Sequence, residues 1–263
     1  MVICAMIVFA LAAGALIAAD GRAAKSGADN ANIESVDMFS AIESGQIAVR
    51  LIPKDSTQGR VFIENKTDKP LSVKLPETFG AVPVLAQRGG GGGGAGRSSS
   101  SGGGGQSQSM GGGMGGGGGG GGGGGMGMFN VPPEKVGQLR VATVCLEHGK
   151  GEPNERIPYE IKPLDKVTNR PAVVELCRAL GTGQLNQRAA QAATWFLNND
   201  ISWQELSAKH YRYASGALGE SYFKPQEIKV GMQLAAMAIK IADEKQKQKE
   251  DAGSANEPAT RRK

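Results

Sequence analysis

The chain has 263 residues, a formal net charge of +5 and 41 glycines, with lysines and arginines mixed among acids almost throughout. So mild a charge predicts solubility and no nucleic-acid partner, and the length allows one or two domains once segments unable to fold are set aside. Two histidines and three cysteines leave little material for a compact metal module.

Residues 1–19, MVICAMIVFALAAGALIAA, carry no charge and end in small residues, as a secretory apolar region and its cleavage site do. They predict a signal peptide cleaved between 19 and 24, hence export to the periplasm, envelope or exterior with no stable membrane insertion after cleavage. The length also suits a spanning helix and the usual basic flank is missing, so a retained anchor is the alternative. Cys4 lies at the front of the apolar run, which argues against a lipid-modified cysteine. Residues 20–31, polar and small, read as a flexible leader.

In VDMFSAIESG, Asp37 is placed to cap a short helix, with Met38, Phe39 and Ile42 on neighbouring turns and Gly45 as its stop. From residue 46 the apolar period becomes two, through QIAVRLI, GRVFIEN, LSVKLP, VPVLAQ, QLRVATVCLEHG and IPYEIKPL. About six antiparallel strands over 32–164 are enough for a small sandwich or a partly open barrel, and the β-sandwich-like domain is the expected form.

Residues 89–128 hold 26 of the glycines and almost no side chain to bury. They predict a disordered insert, either an expanded loop tip or a linker between domains, and the strands on both sides favour the loop. Since closure entropy grows only with the logarithm of length, deleting 89–128 is expected to leave the fold intact. The tract matches G-x-G-x-x-G many times without the strand, turn and helix order that a dinucleotide site needs, and its lone RGG at Arg88 lacks stacking aromatics.

After Leu164 the period becomes helical. NRPAVVELCRALG starts with Pro171 and places Val173, Leu176, Cys177 and Leu180 on one face; LNQRAAQAATWFLNN follows, then SWQEL with Ser202 and Glu205 as a capping box, then a long helix from Pro225. Residues 165–242 thus form a helical region packed on the strands, and 243–263 a disordered charged tail. The fold class is α+β.

Loss of the signal peptide, which carries Cys4, leaves Cys145 and Cys177, a possible disulfide in an oxidising compartment, or else two separate buried thiols. Joined to His148 and His210 the same cysteines offer either four zinc ligands at a spacing that fits no compact module, or a thiol and imidazole pair. Trp195 and Trp203 suit core packing beside small neighbours more than a sugar-stacking surface. Asn65 in NKT fits an N-glycosylation pattern.

VFIENKTDKPLSVKLP resembles the strand, turn and strand of Ig-like or fibronectin-like exported sandwiches. VPPEKVGQLRVATVCLEHG followed by RAAQAATWFLNNDISWQEL is similar to a family of uncharacterised exported bacterial proteins that join such a region to an Ala-rich helical end. QRAAQAATWFL also resembles one helix of a HEAT-type repeat, without a second copy. The resemblance brings no activity, cofactor or site residues. Together these readings predict an exported, non-catalytic binding or structural protein that needs no cofactor, with another envelope protein or a cell-surface polymer as partner. The alternative is an exported enzyme built on Cys145 or Cys177 with His148 or His210.

Overall fold

The computed structural model describes residues 33–84, 107–114, 127–213 and 215–255. The expected signal peptide and leader lie outside the described residues. Strand β1 (Glu34–Asp37) leads directly into helix α1 (Met38–Glu43), where the Asp37 carboxylate accepts from the backbone N–H groups of Phe39 and Ser40, both at 3.1 Å. Met38 and Ala41 are buried, and Gly45 at φ +74° turns the chain away.

The alternating segments form β2 (Ile47–Pro53), β3 (Gln58–Asn65), β4 (Leu71–Lys74), β5 (Thr78–Pro83), β6 (Met110–Gly113), β7 (Met128–Val131), β8 (Val136–Cys145) and β9 (Tyr159–Lys162). Six of them close a barrel in the order β2-β3-β8-β6-β5-β9, and Leu51↔Tyr159 joins its last strand to its first. β1, β4 and β7 make a separate three-stranded sheet, with β1 and β4 parallel. The architecture is therefore α+β as expected, but the strands build a closed barrel rather than the expected sandwich or the partly open barrel that was its alternative. β6 accounts for the difference: it pairs with β5 on one side and β8 on the other, filling an edge that would otherwise stay open.

β6 is drawn from the glycine tract, so the expectation of a disordered insert over 89–128 does not hold for residues 107–114. Buried Met110 supplies apolar surface to the barrel core, and the Tyr159 hydroxyl donates to the Gln108 carbonyl at 2.9 Å. The glycines are required by close approach. A Cβ built on Gly113 would stand 2.5 Å from the Cys177 carbonyl oxygen and 2.7 Å from the Gly181 Cα, so helix and strand touch backbone to backbone. Glycine composition thus marks a packing strand here as well as a segment poor in burial.

The helices are α2 (Pro171–Gly181), α3 (Gln187–Asn199), α4 (Trp203–Ala208) and α5 (Pro225–Ala255), with a short hairpin of β10 (His210–Arg212) and β11 (Leu218–Ser221) between the last two. Asn186 caps α3 and the Ser202–Glu205 capping box opens α4. Val144 and Leu146 pack with Val173, Leu176, Cys177, Leu180, Ala190 and Ala193 in one cluster, which holds the helices on the barrel. α5 is helical to Ala255, into the region expected to be a disordered tail. Among the described residues no helix is long and apolar enough to cross a membrane.

Candidate functional site: the seam between β8 and α3

β3 stops pairing with β8 at Gln58↔Ala142, and the Thr143 N–H still reaches the Thr57 carbonyl at 2.9 Å. Past that point side-chain amides of α3 serve the backbone of the strand. Gln187 Nε2 donates to the Thr143 carbonyl at 2.8 Å, and Asn198 Nδ2 to the Leu146 carbonyl at 2.6 Å. Between them Gln191 clasps Cys145 reciprocally. The Cys145 N–H donates to Gln191 Oε1 at 2.8 Å, while Gln191 Nε2 donates to the Cys145 carbonyl at 2.9 Å. Gln191, Asn198 and Gln187 share one helical face because their spacings are near multiples of 3.6 residues. Both partners of the clasp are sealed from water, Cys145 at 0% exposure and Gln191 at 2%.

The thiols themselves differ from the disulfide expectation. Cys145 and Cys177 are both free and both buried. Strand alternation explains the separation: Val144 and Leu146 point into the cluster that contains Cys177, whereas Cys145 belongs to a second cluster with Ala192, Trp195, Leu206, Tyr222 and Phe223. Burial pushes the Cys177 thiol up to about 12, and pushes Cys145 higher still with help from the charges of Glu152 and Asp55. Both are therefore thiols rather than thiolates at neutral pH.

The histidines do not hydrogen-bond the sulfurs. His148 Nε2 lies 3.0 Å from Lys209 Nζ, and His210 Nδ1 lies 2.8 Å from the Ala208 carbonyl, while Cys145 Sγ makes only a long 3.9 Å contact to the Ser56 carbonyl. Among the described residues no three His, Cys, Asp or Glu side chains converge as a metal ion would need.

Above the clasp runs a strip of aromatic rings. His148 meets the Trp195 ring edge-on at 4.7 Å, Trp195 lies 5.5 Å from Tyr222, and Tyr222 lies 4.7 Å from Tyr211. Lys209 Nζ sits over both Trp195 and Tyr222, at 5.3 and 5.0 Å, and the Arg188 guanidinium covers Tyr222 at 4.4 Å. The Tyr222 hydroxyl donates to Glu152 at 3.2 Å. Burial lowers the pKa of Lys209, and burial followed by the Lys209 charge lowers that of His148, so His148 is neutral and accepts from the ammonium. Trp195 is core, as its small neighbours predict, yet its buried indole N–H has no hydrogen-bond partner among the described residues. Trp203 stacks on Phe196 at 4.4 Å.

The strip surfaces on the hairpin, where Tyr211, Tyr213 and Leu218 are 45, 60 and 63% exposed. Tyr211 lies in β10 and Tyr213 just past its end, and a Cβ built on Gly219 would stand 3.3 Å from both side chains. Asn65 is buried, with its amide nitrogen donating to the carbonyls of Lys69, Val131 and Pro132, so in the folded chain it is a turn anchor rather than a glycan acceptor. No family model, curated protein or solved structure matches the chain.

Proposed function

We propose that the chain is an exported, non-catalytic binding protein of the cell envelope, and that its contact face is the hairpin bearing Tyr211, Tyr213 and Leu218. The single observation behind this reading is the exposure of two tyrosines and a leucine on one small hairpin, braced from behind by Tyr222, Trp195 and Lys209. Exposed aromatics on a stiff support lose little side-chain entropy on binding and offer flat faces to a partner. A cell-surface polymer of sugar rings fits that surface, with Arg212 and Glu220 on the same hairpin supplying polar contacts to hydroxyls. The apolar stretch of residues 1–19 supports export.

The test has two arms. A tagged full chain is fractionated in its host, and export predicts that it leaves the cytoplasm. Purified chain is then mixed with isolated envelope polymer stripped of protein, where Tyr211→Ala/Tyr213→Ala is expected to bind roughly tenfold more weakly, at about 0.5–1.5 kcal/mol for each lost ring contact. Equal binding by the double variant would remove the hairpin from the reading, and binding only to envelope that retains its proteins would make the partner a protein.

A further inference from the structure

We propose that Cys145 and Gln191 form an internal thioester, and that this bond captures primary amines covalently. The observation is the reciprocal clasp. The carboxamide of Gln191 lies against the peptide backbone of the one residue whose side chain is a thiol on that strand, and two hydrogen bonds fix it there. Backbone capping alone needs only an amide; a cysteine at the clasped position puts a thiol on the same residue whose backbone holds the carboxamide.

The atoms balance without a co-reactant. Cys145 Sγ attacks Gln191 Cδ, the Sγ–Cδ bond forms, the Cδ–Nε2 bond breaks, and the thiol proton leaves with the nitrogen as ammonia. Nothing is oxidised or reduced. The Cys145 N–H already donates to Oε1, which polarises the carbonyl and stabilises the oxygen as negative charge develops on it. The unpartnered indole N–H of Trp195, one helical turn along α3 and in the same buried cluster as Cys145, is a second donor within that cluster. Fixed geometry replaces the entropy cost of bringing thiol and amide together. Burial of both residues then protects the product from hydrolysis.

In the second step a primary amine attacks Cδ, the C–S bond breaks, an amide forms on the Gln191 side chain, and a proton from the amine restores the thiol. Because Cδ is sealed in the closed fold, the amine reaches it only when the seam between β8 and α3 opens, and the amine class then covers lysine side chains and amino sugars. That a partner on the envelope supplies it rests on the binding reading above; formation of the thioester does not.

Mass spectrometry of the intact full chain tests the first step. The expected mass is lower than that of the sequence, after any leader cleavage, by one ammonia. Peptide mapping should place the deficit on Cys145 and Gln191, and Cys177→Ala should retain it while Cys145→Ala and Gln191→Ala abolish it. Methylamine is the probe for the second step: treatment should add one methylamine, leave an N-methyl amide at Gln191 and free the Cys145 thiol for alkylation. Recovery of unmodified Gln191 and an alkylatable Cys145 from untreated, folded chain overturns the proposal, as does a deficit that survives Cys145→Ala. The wild-type map decides even if a variant fails to fold. A deficit present without envelope binding would leave the thioester standing and refute only the binding reading.

Discussion

Cys145 and Gln191 exchange two hydrogen bonds across 46 residues of sequence, and through them a helix side chain takes the place of a strand at the edge of β8. The relationship joins barrel to helices at a point where neither residue touches solvent. Replacing Gln191 with Ala strands a buried N–H and a buried carbonyl on Cys145. An unsatisfied buried group costs about 1–3 kcal/mol, so the pair should lower stability by roughly 2–6 kcal/mol. Urea unfolding of the two chains measures the difference, and a loss below about 0.5 kcal/mol would mean that water or a neighbour replaces both bonds.

Gly113→Ala should be more damaging than a surface glycine substitution, because the added methyl meets the Cys177 carbonyl oxygen at 2.5 Å and the Gly181 Cα at 2.7 Å. Neither contact is the end of a flexible side chain. Relief requires α2 to lift from β6, at a cost of about 1–3 kcal/mol as an overpacked core site. Deleting 89–128 removes β6 altogether and leaves β5 and β8 without their partner, so cooperative thermal unfolding should disappear rather than persist. Calorimetry on both variants checks the two statements.

Much of this fold is legible from periodicity. Ile47, Leu51, Val61 and Ile63 alternate inward as their spacing implies, and Val173, Leu176, Cys177 and Leu180 form the buried face of α2. Barrel closure was hidden because the strand that closes it is MGGG, whose burial comes from tight backbone packing rather than from side-chain hydrophobicity. The seam was hidden for a related reason. Gln191 looks like a polar position within QRAAQAATWFL, and only the ending of β3 beside Cys145 gives that amide a buried role. Its one sequence signal is the set of amides at Gln187, Gln191 and Asn198, spaced to share one face of an otherwise Ala-rich helix.

His148 should make stability depend on pH near neutrality. Burial and the neighbouring Lys209 charge depress its pKa below the ordinary value of 6.5, so the unfolded chain binds the proton first as pH falls. Stability is therefore retained above the unfolded pKa and declines as pH drops through it toward the depressed folded value. His148→Asn, which cannot take up the proton, should flatten the fall in melting temperature between about pH 7.5 and pH 5.5. An unchanged slope would show that the imidazole is protonated as readily in the folded chain as in the unfolded one.

Gly111 and Cys177 should be energetically coupled. A methyl built on Gly111 approaches Cys177 Sγ at 3.0 Å, with Leu146 Cδ2 at 3.2 Å and Leu164 Cδ1 at 3.4 Å. The sulfur is the tightest of the three and is held by full burial on α2. Gly111→Ala alone therefore crowds this layer, at about 1–3 kcal/mol, and Cys177→Ala alone leaves a small void. Combined, the new methyl enters the space that the sulfur vacates, so the double variant should be more stable than the sum of the single effects by about 0.5–1.5 kcal/mol. Additive losses would place the crowding on the leucines instead. The same Cys177→Ala variant also bears on the free-thiol arrangement: removal of a bonded cysteine would add the loss of a cross-link worth about 3–4 kcal/mol, whereas a free thiol costs only its packing.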